Sequence, residues 1–266
     1  MGDNSNISEL YYTAKEARTI LGLNENTFQT WVKTGKIPRT ILKGMRQGVY
    51  AKRDINALAR AMNLAVQPYE RLVFSKSTPG DQEEEMLIGI RCFGDTFITP
   101  LAERIAFQQK SEFTFYSLKV NGKVVGYMSM FHFPPAFLDD ILTGKRIERE
   151  ITLKEVLKFP RLEPFNIYID VMATDPLLPP RERSFYAGIM VERFASLILQ
   201  LRDNGYMIQT VYTVTATKEG DQLVRKTGFQ LMPGKSIAPG RLAYQFPIDE
   251  AGIERLRHLT GRKFTW

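Results

Sequence analysis

The sequence predicts a mixed α+β chain in two parts: a small basic head of three short helices and a hairpin, then a larger body in which strands and helices alternate. Three observations carry this reading. Charge is concentrated near the start, because between Leu10 and Val66 ten Lys and Arg stand against three acids, a net +7 that equals the charge of the whole 266-residue chain. The remainder is therefore neutral. The basic segment holds short helix-period runs bounded by capping residues and glycines. Beyond Pro68 the pattern turns to β-type runs, the clearest being "FTFYSLKV" and "KVVGYMSMFHF", joined by Asn121-Gly122 where a type I′ hairpin turn needs those residues.

The length suits one large domain or two ordinary ones, and 44% apolar residues is a globular composition. No run of about 18 apolar residues occurs, and "MGDNSNISEL" has neither the basic nor the apolar region of a leader, so a cytoplasmic protein without a membrane partner is expected. The single cysteine, Cys92, excludes an internal disulfide and a cysteine-based zinc cage, and two histidines, His132 and His258, leave few ligands for a transition metal. No metal is expected.

Within the head, "YYTAKEARTILGL" starts a helix at Thr13, with Glu16 three residues on as capping-box partner and Ala14, Ala17, Ile20 and Leu21 at helical spacing. Gly22 ends it. Asn24 caps a second helix that puts Phe28, Trp31 and Val32 on one side and Asn26, Thr27, Gln29, Thr30 and Lys33 on the other. The aromatics read as core. The polar side carries amides, hydroxyls and a terminal Lys, groups that hydrogen-bond base edges and phosphates. Gly35 and Pro38 stop the helix, "RTILKGMRQGVYAK" alternates like a hairpin around Gly44 and Gly48, and Asp54 caps a third helix through Ile55, Leu58 and Ala59. Two helices across a tight turn form a helix-turn-helix unit, whose second helix enters the major groove. The expected boundaries are a tail over 1–9, the head over 10–62, a short connection over 63–70 containing Gln67-Pro68, and the body over 71–266.

The order "YTAKEARTILGL", "TFQTWVKTGKIP", "RQGVYAKRDINAL" resembles the winged helix-turn-helix of the MerR and phage-excisionase superfamily. The resemblance covers residues 10 to 62 and implies double-stranded DNA as partner. It places Asn26, Thr27, Gln29, Thr30 and Lys33 on the recognition helix, and has Arg39, Lys43, Arg46, Lys52 and Arg53 clamp phosphates from the wing. A module of this size contacts a half-site, so a palindromic operator implies a homodimer. The long dimerising helix of the MerR regulators proper is not expected here, because "MNLAVQPYERLVF" is broken by Pro68 and lacks heptads.

In the body, strand-like "RLVFSKS" leads to helices over "TPGDQEEEMLIGIRCF" and "PLAERIAFQQ" and then the hairpin. A strand "FNIYIDVMAT", a long helix from "SFYAGIM" to "RDNGY", a strand "IQTVYTVTA", a helix "GDQLVRKTGF" and closing strands near "FQLM" and "LAYQFP" follow. This succession resembles the GNAT acetyltransferase fold over residues 70 to 250, on "S-x-S-T-P-G-D", the hairpin with "V-V-G-Y", "V-M-A-T-D-P", "D-N-G-Y" and "L-V-R-K-T-G-F". The fold class expected for the whole chain is thus a small winged helix-turn-helix domain followed by a GNAT-like mixed α/β domain.

That resemblance implies acetyl-CoA or another acyl-CoA as cofactor. The family holds its pyrophosphate on a "Q/R-x-x-G-x-G/A" turn at a helix N-terminus, where amides and the helix dipole meet the phosphates. The corresponding stretch, "DPLLPPRERSFYAGIM", lacks that motif. It offers Arg181 and Arg183 with the amides near Ser184, and Gly188, either as an arginine-assisted phosphate site or as a loop with two solvated arginines. Met172 and Thr174 on the preceding strand complete the cofactor candidates. Many members carry a proton-donating Tyr four residues before the terminal "G-F"; Val224 stands there and cannot move a proton. Asp170 is the candidate base, or else a strand carboxylate bonded to a neighbour. Tyr186 and Tyr206 are alternative acids without positional support, and His132 reads as a structural edge histidine. The function expected is a DNA-binding transcriptional regulator whose degenerate GNAT-like body is an acyl-CoA sensor or oligomerisation module. The alternatives are an acetyltransferase with a DNA-binding head, and an excisionase-like accessory protein of a mobile element.

Overall fold

A computed structural model describes residues 10–42, 47–66 and 72–260. The chain divides into two compact units, Met1–Tyr69 and Glu70–Trp266.

In the first unit, helix α1 (Ala14–Leu21) opens on the expected capping box: Thr13 Oγ1 accepts from the Glu16 amide at 3.3 Å, and the Thr13 amide donates to Glu16 Oε2 at 2.8 Å. Gly22, at φ +62°, turns the chain out of it. Asn24 Oδ1 then accepts from the Thr27 amide at 2.9 Å and starts α2 (Glu25–Lys33). Thr40 and Val49 exchange backbone bonds of 2.9 and 2.8 Å, closing the base of the expected hairpin. Its Lys43 and Arg46 lie outside the described residues. Strands β1 (Tyr11–Tyr12) and β2 (Tyr50–Ala51) pair antiparallel, and α3 (Lys52–Val66) follows.

Two expectations are corrected here. Helix α3 begins at Lys52, so Asp54 sits in its first turn rather than at its cap, and Lys52 and Arg53 belong to the helix rather than to the ribbon. It also runs on to Val66, taking in residues expected to form the connection. The core of this unit is small: Ala17, Leu21, Phe28, Ile37, Tyr50 and Ile55 are buried, with Trp31 and Val32 half-buried against them. Phe28, 1% exposed, meets Tyr50 edge-on with ring centroids 5.2 Å apart.

The second unit is built on a seven-stranded sheet: β3 (Leu72–Lys76), β4 (Phe115–Val120), β5 (Lys123–Phe131), β6 (Pro164–Thr174), β7 (Met207–Thr215), β8 (Gln230–Leu231) and β9 (Leu242–Pro247), in the order β3-β4-β5-β6-β7-β9-β8. All neighbours are antiparallel except β6 and β7. The β4–β5 turn has Asn121 at φ +53° and Gly122 at φ +83°, the left-handed pair that the sequence predicts. Helices α4 (Pro79–Phe93) and α5 (Leu101–Lys110) lie between β3 and β4 in the chain, α6 (Pro135–Thr143) between β5 and β6, α7 (Pro180–Asp203) between β6 and β7, α8 (Lys218–Thr227) after β7, and α9 (Glu250–Thr260) last. Helix α7 starts four residues earlier than its apolar pattern predicts, because Pro180 takes its first position. Its Phe194, Ala195 and Ile198 pack with Leu256 and Leu259 of α9 and with Ile167, Ile169, Val211 and Phe246 of the sheet. A second core gathers Phe107, Phe115, Phe131, Phe133, Phe137 and Tyr168 between the sheet and α5 and α6.

Two irregularities meet at one place. On the β5 side, Ser129 pairs with Val171 and Met130 with Ile169, so Asp170 is the extra residue of a β-bulge. On the β7 side, pairing ends at Ile169 and Thr213, although β6 continues to Thr174 and β7 to Thr215.

With so small a core in the first unit, Phe28→Ala should cost about 3–5 kcal/mol, as much as a core of this size supplies. A calorimetric scan of the full chain is expected to lose its lower transition and retain the body's; an unchanged scan would contradict this packing.

Candidate functional site

On α2 the structure exposes Asn26, Gln29, Thr30 and Lys33 and half-buries Thr27, opposite buried Phe28. Arg39 lies against this face, since Gln29, Thr30, Val32, Lys33 and Arg39 together line a shallow groove of about 490 Å³. Its stem runs over Gly48, where a Cβ would stand 2.1 Å from Arg39 Nε, so the glycine makes room for the arginine. The other wing candidates are held differently. The Lys52 ammonium sits 5.0 Å from the centroid of the Tyr12 ring, and Arg53, its side chain 91% exposed, pairs with Asp54 at 3.1 Å. The recognition-helix candidates and Arg39 thus share one face, while Lys52 and Arg53 occupy the start of α3.

In the second unit, a cleft of about 510 Å³ opens where β6 and β7 part. Ile169, Asp170, Val171 and Met172 line it from β6, and Thr213, Val214 and Thr215 from β7. It reaches through the sheet: Phe194, Leu256 and Leu259 belong to its lining, and so do Arg104, Tyr127, Glu148 and Arg241. Val224 lines it as well, and its side chain cannot move a proton. Neither alternative tyrosine is part of this lining. Tyr186 is buried in a cluster with Leu118, Val125, Ile189 and Met190, and Tyr206 accepts a 3.3 Å bond from Arg161 Nε. His132 lies 3.2 Å through Nδ1 from the Asn166 carbonyl, and burial lowers its pKa, which suits a structural role.

Asp170 places a carboxyl group in the cleft. Oδ2 accepts from Ser129 Oγ at 2.8 Å. Burial and then the nearby Glu148 carboxylate push its pKa up to about 7, against the opposing pull of Ser129, Arg104 and Arg241. A carboxyl group poised there can hold or release a proton near neutrality. Its surroundings escaped the sequence reading. Glu148, in a 3₁₀ turn over Glu148–Glu150, accepts from Arg241 Nη2 at 2.7 Å and Nη1 at 3.1 Å, and from the Tyr168 hydroxyl at 2.6 Å. Arg104 is 4% exposed and pairs with fully buried Glu85, which also accepts from Ser77 at 2.5 Å and Ser117 at 2.7 Å. These partners come from widely separated stretches of chain and share no motif, so only the fold brings them together.

The remaining cofactor candidates do not form a phosphate cradle. Met172 lines the cleft, and the Thr174 carbonyl accepts from Cys92 Sγ at 3.7 Å. From Asp175 to Pro180, three residues are prolines without an N–H, and the other three amides are spent inside the protein: Asp175 on the Val125 carbonyl at 2.9 Å, Leu177 on Asp175 Oδ1 at 3.0 Å and Leu178 on the Asp175 carbonyl at 3.1 Å. The Asp175 carboxylate is paired with the Arg91 guanidinium through two contacts, at 3.2 and 3.0 Å. Arg181 and Ser184 are exposed on the first turns of α7, Ser184 Oγ donates to the Pro180 carbonyl at 3.1 Å, and the Arg183 Nε is buried without a partner. Gly188 is buried two turns inside the helix and cannot admit a phosphate to the backbone. The turn itself thus offers an anion no free amide; the first amides without an acceptor among the described residues are those of Arg181 and Glu182, in the first turn of α7.

Among the described residues no group of three or more His, Cys, Asp or Glu is arranged to hold a metal ion, and no helix is long and apolar enough to cross a membrane.

Comparison with known proteins identifies a helix-turn-helix domain over residues 11–63, which implies DNA as a partner. No curated protein matches the chain. Solved structures with similarity to it include Ard1 from Thermoplasma volcanium (15% identity, TM-score 0.44, covering 68% of this chain and 99% of that one). An N-acetyltransferase from Staphylococcus aureus Mu50 is similar at 16% identity and TM-score 0.41, over 67% of this chain and 99% of its own. The Salmonella typhimurium protein yncA, solved with its cofactor acetyl-CoA, is similar at 14% identity and TM-score 0.40, over 68% and 95%. At these identities and scores no activity, ligand or residue role passes from those proteins to this chain.

The raised pKa of Asp170 has a consequence for stability. The folded state holds this proton more tightly than an unfolded chain, whose Asp titrates near about 3.9. The group's contribution is therefore complete below about pH 4 and is lost as pH rises through about 7. Asp170→Asn cannot ionise, so it should raise stability at about pH 8 by on the order of 1–4 kcal/mol and change little at about pH 4. Glu148, Arg104, Arg241, Tyr127 and Tyr168, the other ionisable groups around it, are left in place. Thermal melts across that range check this, and a variant that keeps the parent's pH dependence would refute it.

Proposed function

We propose that this protein is a DNA-binding transcriptional regulator in which α2 reads the major groove and the cleft of the second unit senses a small ligand. The observation that carries the reading is the net charge of +7 between Leu10 and Val66, on a segment whose second helix buries Phe28 and turns Asn26, Gln29, Thr30 and Lys33 outward. Bidentate amide contacts to base edges give specificity, while Lys and Arg on phosphates give affinity that falls with salt. In this reading Gln29 and Asn26 meet base edges, and Lys33, Arg39, Lys52 and Arg53 meet phosphates. Two copies on a palindromic site supply the second half-site.

Acyl-CoA as the sensed ligand has the β6–β7 cleft in its favour and the proline-rich turn after Thr174 against it. A second reading, an acetyltransferase delivered to DNA, is favoured by Asp170, a carboxyl group at the bulge with a pKa near neutrality. It has no general acid at Val224 and no phosphate cradle to support it.

The test is fluorescence anisotropy of the full chain on promoter duplex over a salt series. Arg39→Ala should weaken binding on all sequences alike and lower the slope of log K against log salt by about 0.9. Gln29→Ala should cost about 1–3 kcal/mol on the specific site and leave that slope unchanged. Absence of duplex binding at low salt would end the regulator reading. Turnover of acetyl-CoA by the purified protein with an amine acceptor would instead establish the enzyme.

A further inference from the structure

The outward face of α2 has a composition that selects among base pairs. Asn26, Gln29, Thr30 and Lys33 stand at i, i+3, i+4 and i+7, one stripe of the helix, and all four are exposed opposite buried Phe28. The side-chain amides of Asn26 and Gln29 make no hydrogen bond among the described residues, so each keeps both donor and acceptor for a partner. Thr30 differs. Its hydroxyl donates to the Asn26 carbonyl at 2.8 Å, which spends its hydrogen on the helix and leaves the Cγ2 methyl for contact.

Amide, amide and methyl are the complement of A·T pairs in the major groove. Adenine presents an N7 acceptor beside an N6 donor, which Asn or Gln matches with two bonds, and thymine presents its C5 methyl. Guanine presents two acceptors and calls for Arg or Lys, and cytosine presents a donor that calls for a carboxylate. The charged groups near the stripe are placed for other tasks. Arg18 and Glu25 hold each other at 2.5 Å across the turn between α1 and α2. Lys33 is the last residue of α2 and Arg39 comes from the segment beyond it, whereas a recognition helix brings its N-terminal residues to the base edges. Asn26 and Gln29 are about 4.5 Å apart along the helix axis, against about 3.4 Å between base pairs, so the two amides reach neighbouring pairs.

We propose that α2 reads two neighbouring A·T pairs, the Asn26 and Gln29 amides each on the N6 and N7 of an adenine and the Thr30 methyl against a thymine methyl. This rests on the reading of the first unit as a DNA-binding head and names the class of sequence it takes. Lys33 and Arg39 hold the register on phosphates and carry no base preference.

Selection of bound duplexes by the full chain, from a library with a randomised core of about two helical turns, tests this. Two neighbouring A·T pairs are expected in the recovered sequences, and changing either to G·C should weaken binding in the anisotropy assay by about 5- to 150-fold. Gln29→Arg, at an exposed position where folding is not at stake, should convert one of those pairs to G·C; Asn26→Ala should leave the other unspecified. Two base analogues separate the contacts. 7-Deazaadenine lacks the N7 acceptor and, at the pair read by Gln29, should weaken the parent by about 2- to 10-fold while leaving Gln29→Ala unaffected. Uracil in place of thymine removes the methyl and should weaken the parent about fourfold. Thr30→Ser keeps the hydroxyl and its bond to the helix, and should be indifferent to that exchange. G·C pairs at the selected positions, a preference unmoved by Gln29→Arg, indifference of the parent to both analogues, or a uracil effect that survives Thr30→Ser would each overturn the proposal. Duplex binding without base preference sinks the A·T reading alone; absence of duplex binding at low salt sinks the DNA-binding head itself.

Discussion

Hydrogen bonding along β6 gives way on both sides of one residue, and the larger unit is organised around that failure. Toward β5 the ladder skips Asp170 as a bulge; toward β7 it stops after Ile169. A central strand normally has both neighbours to satisfy its backbone and hold its side chains in register. Here the strand is anchored up to Ile169 and then freed from β7. The side chain at that point is a carboxyl group surrounded by protein yet bonded through one oxygen to Ser129. Burial and the neighbouring Glu148 carboxylate raise its pKa, and the cleft opens at the same place.

The first unit obeys a different constraint. The buried cluster among the described residues is small, so the local devices carry much of the specification: the Thr13–Glu16 box, Gly22 in the left-handed region and the Asn24 cap. These fix the angle at which α2 leaves α1 and hence which of its residues face outward. Cationic side chains are placed by similarly modest means. Lys36 lies 5.4 Å from the Trp31 ring centroid, Lys52 rests over Tyr12, and Arg39 rests over Gly48. Each has its stem supported by the unit.

Much of this was legible in the sequence, for identifiable reasons. Caps, the Asn121-Gly122 turn and the long strand over Pro164–Thr174 are written in local residue types, and the structure has them. Asp54 misled, because a helix-favouring Asp serves a first turn as well as a cap, and α3 starts two residues before it. Helix α6 went unread since "PAFLDDILT" is apolar on most sides, and α9 since its Gly252 dilutes the helical signal. Asp170 was visible by its strand position. Its partners were not, because Arg104, Glu148 and Arg241 are joined only by tertiary structure, and a bulge leaves no trace in residue type. The prolines at 176, 179 and 180 are plain in the sequence, but the loss of the intervening amides depends on bonds to Val125 and within the turn that only the fold creates.

The opening beside Asp170 is a seam through the sheet rather than a dent in one surface. Its lining draws on α7 and α9 from one layer and on α5 and the 3₁₀ turn at Glu148 from another. Two strands that part there leave a gap bordered by both layers, so a ligand lodged in it would act as a mechanical shim, touching rigid elements of each layer at once.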